Sequence, residues 1–413
     1  MQNKTIRILQ EPLHKNSLYI LANAVVGSGF GFAFWMLAAK LYSAGDVGIA
    51  TAAVSAMSLL VLLSRLGLDY SLIRFFPQND KNRIFNTAYA ITTAAAIISC
   101  LLFILGIDIF SPALVLLKDP ANAVLFIVFL AASSTIQLTG SAFVALRKTH
   151  RYFLQSLLCG SRVVFVFLLT AFGAMGVFGA MGAAFVLTAA ASLLWLTREG
   201  IRLNAAVDTK FLRESMRFSA GNYLTSLFVT APAHILPLVV LNVLGADSAA
   251  YYYVAFSIAA LLFTIPAAVS TSLLVEGSHE EELPKIIKKS LLLTAALLLP
   301  AAAATYVLSG WLLAFIGQGY SAEGSVLLQT LAAASILVAV NTVYLSVLRI
   351  RKKVAGLTVL SGITSVSLII FSYVLMPHAG LAGIGYAWAA AYGVGAAIIA
   401  LKVLRSLGQP LRA

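Results

Sequence analysis

Apolar residues run through this chain in blocks of about twenty, separated by short breaks of charge, proline and glycine. A block of that length, wound as a helix, matches the hydrocarbon thickness of a bilayer. Reading each block against its breaks predicts twelve helical spans. They fall at roughly 17–41, 46–68, 84–106, 121–146, 152–173, 178–197, 216–244, 247–275, 286–309, 323–348, 354–376 and 380–404. The connections are short, and none is long enough to form a catalytic domain outside the membrane.

Composition narrows this to one class. Of 413 residues, 61% are hydrophobic and only 10% charged, and the mean hydropathy is +0.95. A water-facing surface needs far more charge, so the pattern predicts an all-α polytopic membrane protein. The net charge of +13 raises nucleic acid as a partner, but the basic residues sit in clusters between spans and form no stripe. With the N-terminus in the cytoplasm, 25 of the 28 Lys and Arg residues fall on the inner side. They include Lys4, Arg7, Arg65, Arg74, Arg147, Lys148, Arg198, Lys210, Lys285, Arg349, Lys352, Lys402 and Arg412. Only Lys40 and Lys118 fall outside, and Arg162 lies inside a span. The asymmetry predicts a multi-pass cell-membrane protein with both termini cytoplasmic. The opening MQNKTIRILQEPLHKN lacks a cleavable signal pattern, so the first span is expected to be retained. Cys100 and Cys159 lie in apolar runs without ligand spacing and read as packed thiols; no metal or cofactor is implied.

The chain also repeats itself. LYSAGDVGIATAAVSAMSLL (41–60) lies over NVLGADSAAYYYVAFSIAALL (242–262), with Asp46 on Asp247. VALRKTHRYFLQSLLCGSRVV (144–164) lies over SVLRIRKKVAGLTVLSGITSV (346–366), and FGAMGAAF (178–185) over LAGIGYAW (381–388), at a shift of 201–203 residues. Six spans separate equivalent points, an even number, so the halves run in the same direction. The expectation is two parallel six-helix lobes, 1–205 and 206–413, around a central cleft.

Certain stretches resemble a known family. GLDYSLIRFF (67–76), the Leu-Arg-plus-basic turns after spans four and ten, and the Gly-rich GLAGIGYAWA (380–389) look like the polysaccharide biosynthesis, or O-antigen flippase, family. That family belongs to the multidrug/oligosaccharidyl-lipid/polysaccharide exporter superfamily. The resemblance covers essentially the whole chain. It implies alternating access and translocation of a polyprenyl-pyrophosphate-linked oligosaccharide from the cytoplasmic to the outer leaflet, with no covalent chemistry. The implied partners are that lipid-linked glycan, the bilayer and glycan-assembly enzymes, with no nucleic acid. Drug-exporting relatives carry buried carboxylates, whereas every acidic residue here falls in a loop or at a span end. An ion-coupled small-molecule exporter is the alternative. An integral-membrane glycan polymerase or glycosyltransferase is a third, and it lacks positioned acid/base or metal-binding groups.

The candidate residues follow from polarity within the spans. Arg162 costs at least about 2.5–3.5 kcal/mol at a helix centre, so it should face the bundle interior or a wet cavity. Its planar fork suits a pyrophosphate; backbone carbonyls or Gln155 would instead satisfy it quietly. The repeat-related position is Thr364, which places the charge on one lobe only. His234 sits between Pro232 and Pro237, where a bend would serve gating and the imidazole would titrate, contact substrate or merely bond a freed carbonyl. GSGFG (27–31) lacks the setting of a phosphate loop. Gly27 and Gly29 therefore read as points of close helix packing or bending. Asn23, Gln137, Asn222 and Asn341 either line the cleft and bind sugar hydroxyls or bond across helices. Lys40 either aids release of the pyrophosphate or snorkels.

Overall fold

The computed structural model describes residues 12–77, 80–204, 207–277 and 283–407, and among these it is helical with no strand. Eleven helices among the described residues are long and apolar enough to cross a membrane. The last of them, the 52-residue stretch Val354–Arg405, would reach about 78 Å as one straight helix, more than twice a bilayer core. It breaks at Gly380, where φ is +55° and ψ is −140°. Taken as two crossings, it completes the twelve that the hydrophobic pattern predicts. The surface suits lipid: Leu105, Ile109 and Val307 are more than three-quarters exposed.

The chain divides into two compact units, Met1–Tyr223 and Leu224–Ala413. The expected lobe boundary at Ala205/Ala206 lies outside the described residues, as do Lys4, Arg7 and Arg412. The first unit holds α1 (Pro12–Leu41), α2 (Ala44–Ser64), α3 (Leu68–Phe75), α4 (Lys81–Leu105), α5 (Ile107–Phe110) and α6 (Pro120–Ala145). There follow α7 (Thr149–Cys159), α8 (Arg162–Leu168) and α9 (Gly173–Arg198). Its core joins Leu68 and Leu72 of α3 to Phe85, Leu138, Phe143 and Leu196. The next helix, α10 (Thr209–Leu244), begins in the first unit and continues into the second.

Polar groups pin the start of α10. The Asn82 side-chain Oδ1 accepts from Arg202 N, Asn86 bonds both Arg202 O and Asn204 N, and Thr87 Oγ1 accepts from Asp208 N. Asp208 then caps α10 at Lys210 and Phe211 and pairs with Arg83 at 2.9 Å. The GLDYS stretch has a mechanical meaning here. Gly67 adopts φ +75°, and a Cβ there would lie 2.7 Å from that of Ser219, while Ser71 Oγ meets Ser219 Oγ at 2.6 Å.

In the second unit α11 (Ala246–Gly277), α12 (Leu283–Ala314) and α14 (Val354–Leu407) pack around α13 (Gln318–Ile350). The expected bend or break at Pro232 and Pro237 is not a break: α10 runs through both, as α11 runs through Pro266 and α12 through Pro300.

The duplication is visible in the turns. Lys148 N bonds Phe143 O at 2.8 Å around Arg147, with φ +58°; Lys353 N bonds Leu348 O at 2.9 Å around Lys352, with φ +54°. Both are helix C-caps of the Schellman type. They pair at a shift of 205 residues, three beyond the register read from the Leu-Arg match. Local turn geometry therefore does not make Thr364 the partner of Arg162. Gly173 (φ +53°, ψ −135°) opens α9 in the same conformation as Gly380. Three residues beyond each, Gly176 and Gly383 press on the carbonyls of Leu169 and Leu375.

This backbone region is essentially open to glycine alone. Gly380→Ala and Gly173→Ala are each expected to cost on the order of 1–3 kcal/mol. Gly29→Ala, at a helical site with open space, should cost nothing. Thermal unfolding of the purified protein in detergent checks this; equal melting of all three variants would contradict it.

Candidate functional site

Arg162 stands about two-thirds of the way along the Thr149–Leu168 span, just past a local tightening of the helix. At Gly160 and Ser161 the backbone closes i→i+3 bonds, with Gly160 N to Leu157 O, Ser161 N to Leu158 O and Val163 N to Gly160 O each at 3.0 Å. The span is therefore two helices, α7 and α8, where the hydrophobic pattern predicts one. Opposite, on α1, the Phe30 ring occupies the space a Cβ on Gly160 would need, at 2.7 Å.

The seam between α1 and α7–α8 carries the chemistry. Ser156 Oγ donates to Asn23 Oδ1 at 2.5 Å, and Gly27 faces Ser156. One turn on, Arg162 Nη2 donates to Gly27 O at 3.4 Å and would lie 3.4 Å from a Cβ on Gly31. The guanidinium carbon sits 5.8 Å from the Phe34 ring centroid, within cation–π range. Asn23, Gly27 and Gly31 are spaced four apart, so they share one face of α1. The two glycines let a guanidinium lie flat on backbone where a side chain would displace it.

Beyond the site, α8 is held at its far end. Tyr42 Oη donates to Val166 O at 2.8 Å, and Asp46 accepts from Ala174 N at 2.8 Å while bonding Ser43. Burial first, and the Asp46 carboxylate second, push the Tyr42 hydroxyl above its usual pKa. The phenol thus stays protonated and able to donate to well above neutral pH.

Of the sequence candidates, Arg162, Asn23 and Gly27 come together here. Gln155 does not reach Arg162: its amide donates to Ile136 O, Thr139 Oγ1 and Ser192 Oγ at 2.9–3.0 Å, tying α7 to α6 and α9. Gln137, on α6, and Asn222, on α10, expose their side chains, and Lys40 is exposed at the end of α1. Gly29 faces open space. In the second unit His234 is half-buried on α10 between Pro232 and Pro237. Asn341 is buried, and its amide donates to Leu337 O and Tyr392 O. Ser156, Gly31 and Phe34 are not among the sequence candidates; the four-residue spacing of small residues after Asn23 points to Gly31 alone. Both Cys100 and Cys159 are free thiols.

The sequence matches the polysaccharide biosynthesis protein family over residues 13–275. The chain belongs to that family. No curated protein matches this family member. Solved structures do. A lipid II flippase, MurJ, in an inward closed conformation superposes with a TM-score of 0.73 at 14% identity, over 94% of this chain and 87% of its own. An inward-facing multidrug resistance MATE family transporter of the MOP superfamily gives 0.70 at 15%, over 94% and 99%. A MOP superfamily transporter from Pyrococcus furiosus gives 0.59 at 13%, over 97% and 96%. At these identities the likeness establishes the fold alone. The described acids of this polysaccharide biosynthesis protein sit in turns or toward helix ends, as Asp46, Asp80, Asp119, Glu199 and Asp247 do.

Gly160→Ala should destabilise the protein by about 1–3 kcal/mol through overlap with Phe30. Phe30→Leu in the same chain should recover much of that loss, because the two residues share one contact. A double-mutant cycle of melting temperatures measures the coupling, and strict additivity would contradict the packing described.

Proposed function

We propose that this protein is a flippase that carries a polyprenyl-pyrophosphate-linked oligosaccharide from the cytoplasmic to the outer leaflet by alternating access, for assembly of a cell-surface glycan. It holds the pyrophosphate at Arg162 while the isoprenoid stays in lipid. The observation that carries this reading is the placement of the guanidinium within a span, lying on the backbone of Gly27 and Gly31. Its fork offers paired donors to an anion whose charge is spread over several oxygens. The 3.4 Å bond to Gly27 O is long for a hydrogen bond, so that one contact is weak. A fixed cation there also discriminates against cationic drugs. Asn23 and Ser156 hold the seam in register. The protein transports and does not catalyse covalent chemistry, and both termini face the cytoplasm in keeping with the basic turns.

The test uses the native host with the gene deleted. Lipid-linked glycans are quantified by mass spectrometry, and their leaflet is probed with a membrane-impermeant glycan-modifying reagent. Inner-leaflet accumulation should be relieved by the wild-type gene. Arg162→Ala, at equal expression, should lose about 10- to 100-fold in flux, the worth of a charge-assisted pair, with Arg162→Lys in between. Normal transport by Arg162→Ala would reduce Arg162 to packing. Unchanged sidedness on deletion, with no second flippase present, would overturn the reading in favour of small-molecule export.

A further inference from the structure

The second unit contains an aromatic column that the pyrophosphate site does not use. Phe263 on α11, then Trp388 and Tyr392 on α14, stack face to face with centroids 5.1 and 5.2 Å apart and planes within 12°. Phe256 tilts against Trp388 at 5.6 Å and stacks on Tyr252 at 5.7 Å. Two polar groups of this assembly, Trp388 Nε1 at its centre and Tyr252 Oη at one end, are buried and meet no hydrogen-bond partner among the described residues. A buried indole N–H usually finds a partner, so the orphan of Trp388 beside Tyr392 points to a ligand that supplies an acceptor. Tyr392 is only half-buried; one face lies on Trp388 and the other meets no ring among the described residues. Its backbone is fixed by the amide of Asn341, at 3.0 Å from Tyr392 O.

The first half lacks the counterpart. At the 207-residue shift set by Gly173 and Gly380, Trp388 corresponds to Met181 and Tyr392 to Phe185, and at the 201-residue shift of the earlier helices Phe263 corresponds to Leu62. Two of the three rings therefore have no aromatic equivalent, just as the second half has no intramembrane arginine. An aromatic face is negative and repels a pyrophosphate, but it attracts the weakly positive C–H groups on the apolar face of a sugar ring. Indole and phenol edges beside it donate to sugar hydroxyl oxygens.

We infer that the Phe263–Trp388–Tyr392 column is a carbohydrate subsite: a pyranose ring of the transported glycan packs on the half-buried Tyr392 ring, with Trp388 Nε1 as a hydroxyl donor. This deepens the proposed function and rests on it.

The test measures binding to purified full-length protein in detergent by isothermal titration. One probe is the lipid-linked oligosaccharide extracted from the host membrane; the other is the same polyprenyl pyrophosphate without sugar. Tyr392→Leu should weaken the glycan-bearing lipid roughly five- to tenfold and leave the bare lipid unchanged, while Tyr392→Phe keeps both. A second readout avoids relying on the leucine variant folding. In 5-fluorotryptophan-labelled wild-type protein, the fluorine resonance assigned by Trp388→Phe should shift with the glycan-bearing lipid and stay with the bare one. Equal effects of Tyr392→Leu on both lipids, or an unmoved Trp388 resonance, would make the column core packing and overturn the inference. Binding of neither lipid by wild type would instead overturn the flippase reading itself, and the subsite with it.

Discussion

A guanidinium two-thirds of the way across a membrane span must be given polar company, and the seam between α1 and the broken fifth span supplies it. Hydrocarbon offers Arg162 nothing; the carbonyl of Gly27 and the face of Phe34 do. That arrangement needs two backbones close together, hence the absence of side chains at Gly27, Gly31 and Gly160. Closeness in turn has a local cost. The Phe30 ring wedged over Gly160 accompanies the tightened turn, and that turn sets where α8, and so Arg162, begins. The outer bonds from Tyr42 and Asp46 then hold α8 and the start of α9, so the arginine is carried on a segment fixed at both ends.

Duplication built the two halves, and divergence gave them different chemistry. The glycines that open α9 and break α14 keep the same unusual backbone, and the caps at Arg147 and Lys352 keep the same bonds. Those are constraints of chain reversal, which any copy of the unit must meet. Side chains facing inward are under no such constraint. One half has placed a cation within its spans, and the other has accumulated stacked rings around Trp388.

Much of the architecture is legible in the sequence because lipid imposes it. Runs of about twenty apolar residues have one use, and the break between the last two spans falls at Gly380 as expected, because a glycine there follows Pro377. Arg162 stands out for the same reason. What the sequence hides is register and partnership. The Leu-Arg match misplaces the repeat by three residues since helix caps, set by φ, need not track identities. Spacing along one helix suggests Gln155 as a partner for Arg162. Its amide instead serves α6 and α9, and no periodicity along one helix reveals which neighbours it meets. Ser156 and Gly31 are ordinary alone and matter only as the other half of a contact.

The most direct test is a structure of the protein with a non-hydrolysable polyprenyl methylenediphosphonate in lipid nanodiscs, determined by electron cryomicroscopy. Diphosphonate density is expected within hydrogen-bonding distance of the Arg162 guanidinium, with the bond to Gly27 O given up. Density for the diphosphonate seated elsewhere, with Arg162 still on Gly27, would contradict the assignment of Arg162 as the pyrophosphate anchor.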